Sequence, residues 1–151
     1  MASRDYEEFI DALNVRGVKY LIVGAHAVAF HAQPRATKDL DILVEATPEN
    51  AARVLEAMSD FFGGADLGYV EEDLLDADWI VQLGVAPVRI DLHAGLDGLD
   101  HFDHAWSRRI DAPFGTVSTH YLSLEDLVRV KEAAGREQDR ADLAVLRKIR
   151  P

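Results

Sequence analysis

The chain has 151 residues, 48% of them hydrophobic, which suits one globular domain over 1–151 with a sizeable core. It contains no cysteine, which excludes disulfides, thiolate metal sites and a cysteine nucleophile. A formal charge of −11 disfavours whole-surface binding to nucleic acid or anionic membrane. No apolar signal core opens the chain and no later run has the length of a membrane span, so a cytoplasmic protein is expected.

Tyr6, Phe9, Ile10 and Leu13 recur at i, i+3, i+4 and i+7 behind acidic first-turn residues, which predicts an amphipathic helix ended near Gly17. Val18 to Val23 is a short, β-branched apolar run that reads as a buried strand stopping at Gly24, and Ala25 to His31 reads as helical. A strand, a glycine and a helix start together make a tight turn whose free backbone N–H groups can receive a phosphate. A plain strand-to-helix turn, with Gly24 supplying backbone freedom and small alanines allowing close packing, is the other reading. His26 and His31 stand five apart and share no helix face, so they read as non-ligands, and Gln33-Pro34 breaks the helix.

The chain then reaches Arg35-Ala36-Thr37-Lys38-Asp39-Leu40-Asp41-Ile42-Leu43-Val44, a basic approach to two aspartates at the head of an apolar strand. Side chains alternate along a strand, so Asp39 and Asp41 share one face while Leu40, Ile42 and Val44 take the other. Two carboxylates held together repel, and the repulsion is relieved by raising one pKa or by a cation between them. An oxygen-only donor set of this kind suits Mg²⁺ or Mn²⁺. A solvated acidic strand end is the plain alternative.

Thr47-Pro48-Glu49 is a helix start, with threonine as N-cap and proline at the first helical position, and Val54, Leu55, Met58, Phe61 and Phe62 form the apolar stripe before Gly63-Gly64. Residues 65–78 read as an acidic, irregular loop. Trp79 to Leu83 and Val88 to His93 predict a hairpin about Gly84-Val85-Ala86-Pro87. In its second strand Asp91 lies between Arg89 and His93 on the polar face, where β-propensity disfavours an aspartate. A salt bridge to Arg89 or Arg108 would explain it, and so would a functional site.

Phe102 to Arg109 predicts a short helix, Pro113-Phe114-Gly115 a turn and Thr116 to Thr119 a short edge strand. His101 and His104 have helical spacing without a third ligand and read as surface residues. Ser123 caps a helix to about Ala134, with Asp126 at the capping-box position and Lys131 continuing the apolar stripe, so that Lys131 either snorkels to solvent or points into a site. Beyond Gly135, Arg136, Asp139 and Asp142 recur at spacing three, which reads as an ion-paired helix surface.

If the strands carrying Asp39, Asp41 and Asp91 are neighbours in register, three carboxylates converge. Two-metal phosphoryl chemistry needs such a cluster to clamp attacking and leaving oxygens. Gly24 at a helix start could hold a phosphate, and Lys38, Arg35 or Lys131 could neutralise a triphosphate.

Val23-Gly24-Ala25, then thirteen residues to Asp39-Leu40-Asp41, and later Arg89-Ile90-Asp91-Leu92, resemble the polymerase-beta-type nucleotidyltransferase superfamily. The likeness is to small bacterial members and to those related to the AbiEii abortive-infection toxins. Arg35 to Asp41 is similar to their arginine-x-threonine-x-aspartate-x-aspartate signature, and the segments 127–131 and 136–143 resemble the family's C-terminal lysine and its arginine-x-x-aspartate-x-x-aspartate helix.

The resemblance implies an α/β (α+β) fold, with a small mixed sheet flanked by helices over about 18–119 and C-terminal helices over about 123–150. It implies transfer of a nucleoside monophosphate from a nucleoside triphosphate to a hydroxyl acceptor, which could be a protein, a tRNA end or a small molecule. Asp39 and Asp41 would ligate Mg²⁺ or Mn²⁺, and Asp91 would be general base or third metal ligand. Gly24 and Ala25 would lie against the triphosphate, with Lys131 and Lys38 as phosphate contacts and Arg35 and Thr37 shaping the strand entry. Where the family's turn usually has serine or glycine after the first glycine, this chain has Ala25, which keeps the backbone N–H but lacks the hydroxyl. A catalytically degenerate member that binds nucleotide or a cognate partner, as in a toxin–antitoxin pair, is therefore the alternative. A phosphohydrolase using the same carboxylates is the third reading.

Overall fold

In the computed structural model, which describes residues 4–32, 39–85 and 88–149, the amphipathic first helix is α1 (Arg4–Val15), burying Tyr6, Phe9, Ile10 and Leu13. The apolar run after it is β1 (Tyr20–Val23), buried along its whole length, and α2 (Gly24–His31) starts without an intervening loop. The strand of the aspartates is β2 (Asp39–Val44). Next comes α3 (Pro48–Phe61), where the Asn50 N–H donates to Thr47 Oγ1 at 3.2 Å, as the Thr-Pro start requires.

The hairpin is β3 (Ile80–Val85) and β4 (Val88–His93), so its first strand runs two residues further than expected. Then follow α4 (Phe102–Ser107), β5 (Ile110–Phe114), β6 (Val117–Tyr121), α5 (Leu124–Ala134) and α6 (Glu137–Leu146). Within the acidic loop 65–78, Glu71–Leu74 forms a 3-10 turn that sends Leu74 into the core. The loop's aspartates tie its own backbone: Asp66 accepts from the Gly68 N–H and Asp73 from the Val70 N–H, both at 2.9 Å.

Six strands form one mixed sheet in the order β3-β4-β2-β1-β6-β5. The β1–β2, β3–β4 and β5–β6 pairs are antiparallel, and β2–β4 and β1–β6 are parallel. This is the mixed sheet with flanking helices, two of them C-terminal, that the sequence predicts. One local expectation is overturned: Pro113-Phe114 continues β5, the turn falls at Gly115, and β6 lies inside the sheet while β5 is its edge. Proline is tolerated on an edge strand, and Phe114 stays in register because its side chain is buried.

The two faces of the sheet are covered by different helices. Leu40, Ile42 and Val44 pack with Ile90, Leu92, Phe9, Ile10 and Met58 under α1 and α3. On the other face Leu21, Val23 and Leu43 pack with Ala27, Val28, Leu127 and Leu146 of α2, α5 and α6. The alternation in β2 therefore puts Leu40, Ile42 and Val44 under α1 and α3 and its two aspartates, with Leu43, on the face shared with α2, α5 and α6. Among the described residues no helix is long and apolar enough to cross a membrane.

Candidate active site

Register decides which side chains meet. The parallel β2–β4 pairing sets Asp41 opposite Asp91 and Asp39 opposite Arg89. Across the neighbouring pairs, Gln82 stands opposite Asp91 and Val23 opposite Asp41. The three aspartates of the sequence argument thus lie on adjacent strands, on one face, beside the end of β1.

Gly24 follows Val23 directly and has φ +65, a conformation that L side chains rarely adopt. It also lies against Asp41, since a Cβ built on it would sit 2.6 Å from Asp41 Oδ2. With φ fixed there, the chain turns sharply from β1 into α2, and the uncapped N-terminal turn of α2 begins beside the carboxylates.

These residues line a cleft of about 470 Å³, closed on its far side by Lys131, Arg136 and Asp139. Gly24 is part of its wall and Ala25 is not. Within it, Arg89 Nη2 lies 2.9 Å from Asp39 Oδ2 and 3.3 Å from Asp91 Oδ2, while His93 Nε2 lies 3.0 Å from Asp41 Oδ1. Asp91 is only 6% exposed, and its Oδ1 is buried without a hydrogen-bond partner among the described residues. Burial, then the neighbouring charge of Asp41, pushes the Asp91 carboxyl above the usual carboxylate range, against the opposing effect of Arg89. Of the two salt bridges considered for Asp91, the one to Arg89 forms. Arg108 is instead committed to Asp126 through two bonds of 2.9 Å.

The C-terminal helices differ from the ion-paired surface expected of them. Asp139 and Asp142 are buried, at 1% and 2% exposure, and Lys131 Nζ lies 3.0 Å from an oxygen of each, donating to Asp139 and ion-paired with Asp142. Arg136 Nε adds a 2.8 Å bond to Asp139, and Gln138 donates to Asp142 at 3.0 Å. Burial alone would raise the Asp139 carboxyl, but the bonds from Arg136 and Lys131 and the lysine charge outweigh it and hold it down to about 2. Lys131 therefore points inward, paired with both aspartates of α6 and hydrogen-bonded to Asp139. Spacing alone could not reveal this, because the aspartates are on α6 while the lysine that meets them is on α5.

Arg35, Thr37 and Lys38 lie outside the described residues. Among the described residues, no three acidic or histidine side chains are already gathered as a metal shell. Arg136, Asp139 and Gln82 join the cleft without having been singled out from the sequence as binding residues. For Asp139 the available signal was its place one turn before the apolar Leu143 and Leu146.

No curated protein matches the chain. The family model described as Nucleotidyltransferase of unknown function (DUF6036) matches residues 5–147. With a nucleotidyltransferase model spanning nearly all of the sheet and both C-terminal helices, the chain belongs to that family.

Proposed function

We propose that the protein is a metal-dependent nucleotidyltransferase of the cytoplasm, acting as one domain, that moves a nucleoside monophosphate from a nucleoside triphosphate to a hydroxyl acceptor. The observation that carries this reading is the row made by Asp41 and Asp91 in register, with Asp39 beside them and the start of α2 held against Asp41 by Gly24. A cation fits this donor set: all three ligands are hard carboxylates, and Asp91 offers a buried oxygen with no partner of its own among the described residues.

Asp39, Asp41 and Asp91 would hold Mg²⁺ or Mn²⁺, which when bound would neutralise charge on the reacting phosphates. The residues of the chain divide the remaining work. Asp91, poised above the ordinary carboxylate range, accepts the proton of the acceptor hydroxyl. The acceptor oxygen bonds to the α-phosphorus, the bond from that phosphorus to the β-phosphate oxygen breaks, and pyrophosphate leaves. Gly24, in the wall of the cleft, would lie against the triphosphate with the backbone N–H of Ala25 next to it in the chain, and Lys131, which also lines the cleft, would offer a donor to phosphate. Arg35, Thr37 and Lys38 would complete the entry to β2.

Calorimetric titration of each nucleoside triphosphate with Mg²⁺ tests the reading. Metal-dependent binding that disappears in the Asp39→Ala, Asp41→Ala double variant is the expected result, and no binding of any nucleotide to the wild type would overturn it. The acceptor follows from a screen with labelled nucleotide against tRNA, protein and small hydroxyl compounds.

Ala25 favours a second reading. Without a hydroxyl after Gly24, one hydrogen bond to phosphate is missing, a loss of about 0.5–1.5 kcal/mol. A degenerate, partner-binding protein of a toxin–antitoxin pair related to the AbiEii-type toxins would tolerate that loss. An Asp39→Asn variant with an undiminished biological effect would favour it.

A further inference from the structure

Arg89 is a cleft residue for which the proposed chemistry has so far had no use, and its ion pairing is incomplete. An arginine well matched to a carboxylate makes two parallel N–H···O bonds, as Arg108 does to Asp126. Arg89 instead divides one nitrogen, Nη2, between two carboxylates, Asp39 at 2.9 Å and Asp91 at 3.3 Å. Its Nε is buried with no hydrogen-bond partner among the described residues, and so is Asp91 Oδ1. One guanidinium faces two carboxylates here, so their charge is only partly compensated, and a buried donor and a buried acceptor both remain unmet, which is costly in a low-dielectric site.

The two unmet atoms ask for opposite things. Asp91 Oδ1 needs a cation or a proton donor, whereas Arg89 Nε needs an oxygen acceptor. A bare divalent cation answers only the first, and in taking Asp39 and Asp91 it strips the guanidinium of its counter-charges. A bare triphosphate answers only the second, and it brings negative charge up to three carboxylates. A divalent cation bound together with a triphosphate answers both. The other two cations of the cleft are less free to respond, because Lys131 and Arg136 are already bonded to Asp139.

We propose that Arg89 is an exchangeable counter-ion: it partly compensates the charge of Asp39 and Asp91 while the cleft is empty of nucleotide, and it binds a phosphoryl oxygen once a cation takes over those carboxylates. Arg89 thereby makes cation and nucleotide binding mutually dependent, each raising the affinity of the other by the same factor. The proposal rests on the metal-dependent reading above.

The test is calorimetry on wild type and Arg89→Met with three titrants: Mn²⁺ alone, the α,β-methylene analogues of ATP, GTP, CTP and UTP alone, and each analogue with Mn²⁺. The wild type is expected to bind Mn²⁺ at least tenfold more tightly in the presence of the preferred analogue. Arg89→Met should bind Mn²⁺ alone at least tenfold more tightly than wild type, and the mutual enhancement should shrink at least fivefold. Far-UV circular dichroism and a thermal melt establish that the variant is folded. Should Arg89→Met not fold, Arg89→Gln removes the same charge and carries the same expectation. Wild-type binding of Mn²⁺ with nucleotide, but unchanged or weaker binding of Mn²⁺ alone in the folded variant, would overturn the role of Arg89 and leave the metal-dependent reading standing. Absence of Mn²⁺ binding to wild type, with or without any analogue, would overturn both.

Discussion

Gly24 and Asp41 are in such close contact that a single added carbon on the glycine would lie 2.6 Å from the aspartate's Oδ2. Two demands therefore meet at Gly24. Its φ of +65 is costly for any L side chain, and its surface is where Asp41 must sit. Gly24→Ala should lose about 1–2 kcal/mol from backbone conformation alone, and more from displacing Asp41. Urea unfolding should show the loss, and nucleotide titration should show affinity falling further than stability explains. A variant with wild-type affinity would mean that the position of Asp41 has no part in binding.

The carboxylates are separable by conservative substitution. Asp41→Asn and Asp91→Asn keep shape and remove charge, so each should retain the fold and lose transfer activity by about 100-fold or more. Single-turnover assays with labelled nucleotide are the measurement. Because Asp91 is destabilised by burial and by Asp41, Asp91→Asn should leave stability at neutral pH unchanged or slightly higher, while Asp41→Asn also removes the carboxylate charge from the contact to His93.

Lys131 links two helices through charge that is out of water. Lys131→Met would remove the lysine charge from the buried Asp139 and Asp142, leaving Arg136 bonded to the first and Gln138 to the second, and removing one partner of a buried ionic group costs about 3–5 kcal/mol. Chemical denaturation should register a loss of that size. Adding Asp139→Asn and Asp142→Asn to the same chain should recover part of it, since no uncompensated charge then remains.

Acid should act on the same network. Asp139 is held down to about 2 against an ordinary value of 3.8, so its native state binds the proton less readily than the unfolded chain does. Its contribution to stability is complete above the ordinary value and is lost as pH falls from there through about 2. Thermal melts across that range should show a steeper decline for wild type than for Asp139→Asn, whose curve should be flatter.

Asp126 is fully buried and depends on Arg108 for two of its bonds, with Arg129 giving a third at 2.8 Å. Arg108→Met should cost about 2–3 kcal/mol, below the full cost of a stranded buried charge because Arg129 remains. Denaturant midpoints of Arg108→Met and Arg129→Met would rank the two arginines, with Arg108 the larger.

Much of this site could be read from alternation alone. Period-two spacing put Asp39 and Asp41 on one face and marked Asp91 as an anomaly in mid-strand, and Gly24 stood out at a strand-to-helix junction. Alternation cannot report register, because β2 and β4 pair in parallel across a long crossover with no short turn to align them. Arg89 was therefore seen as a neighbour of Asp91 and not as a partner of Asp39. Pro113-Phe114-Gly115 has turn chemistry, yet the edge position of β5 lets the strand absorb the proline. On α6, aspartates at spacing three look the same whether they face water or a lysine from α5. Burial in that case depends on a second helix, which local pattern does not contain.

The parallel union of β2 and β4 also has a kinetic meaning. His93 and Asp41 touch across a sequence separation of 52, and the chain between them includes α3 and the whole of β3. No fragment ending before β4 can bring the carboxylates together, and the entropy of closing so long a loop is met only when the sheet itself forms. The cleft is thus a late product of folding. A newly made chain acquires this row of carboxylates and its tertiary structure in one step, with no partly folded form that holds three aspartates in place.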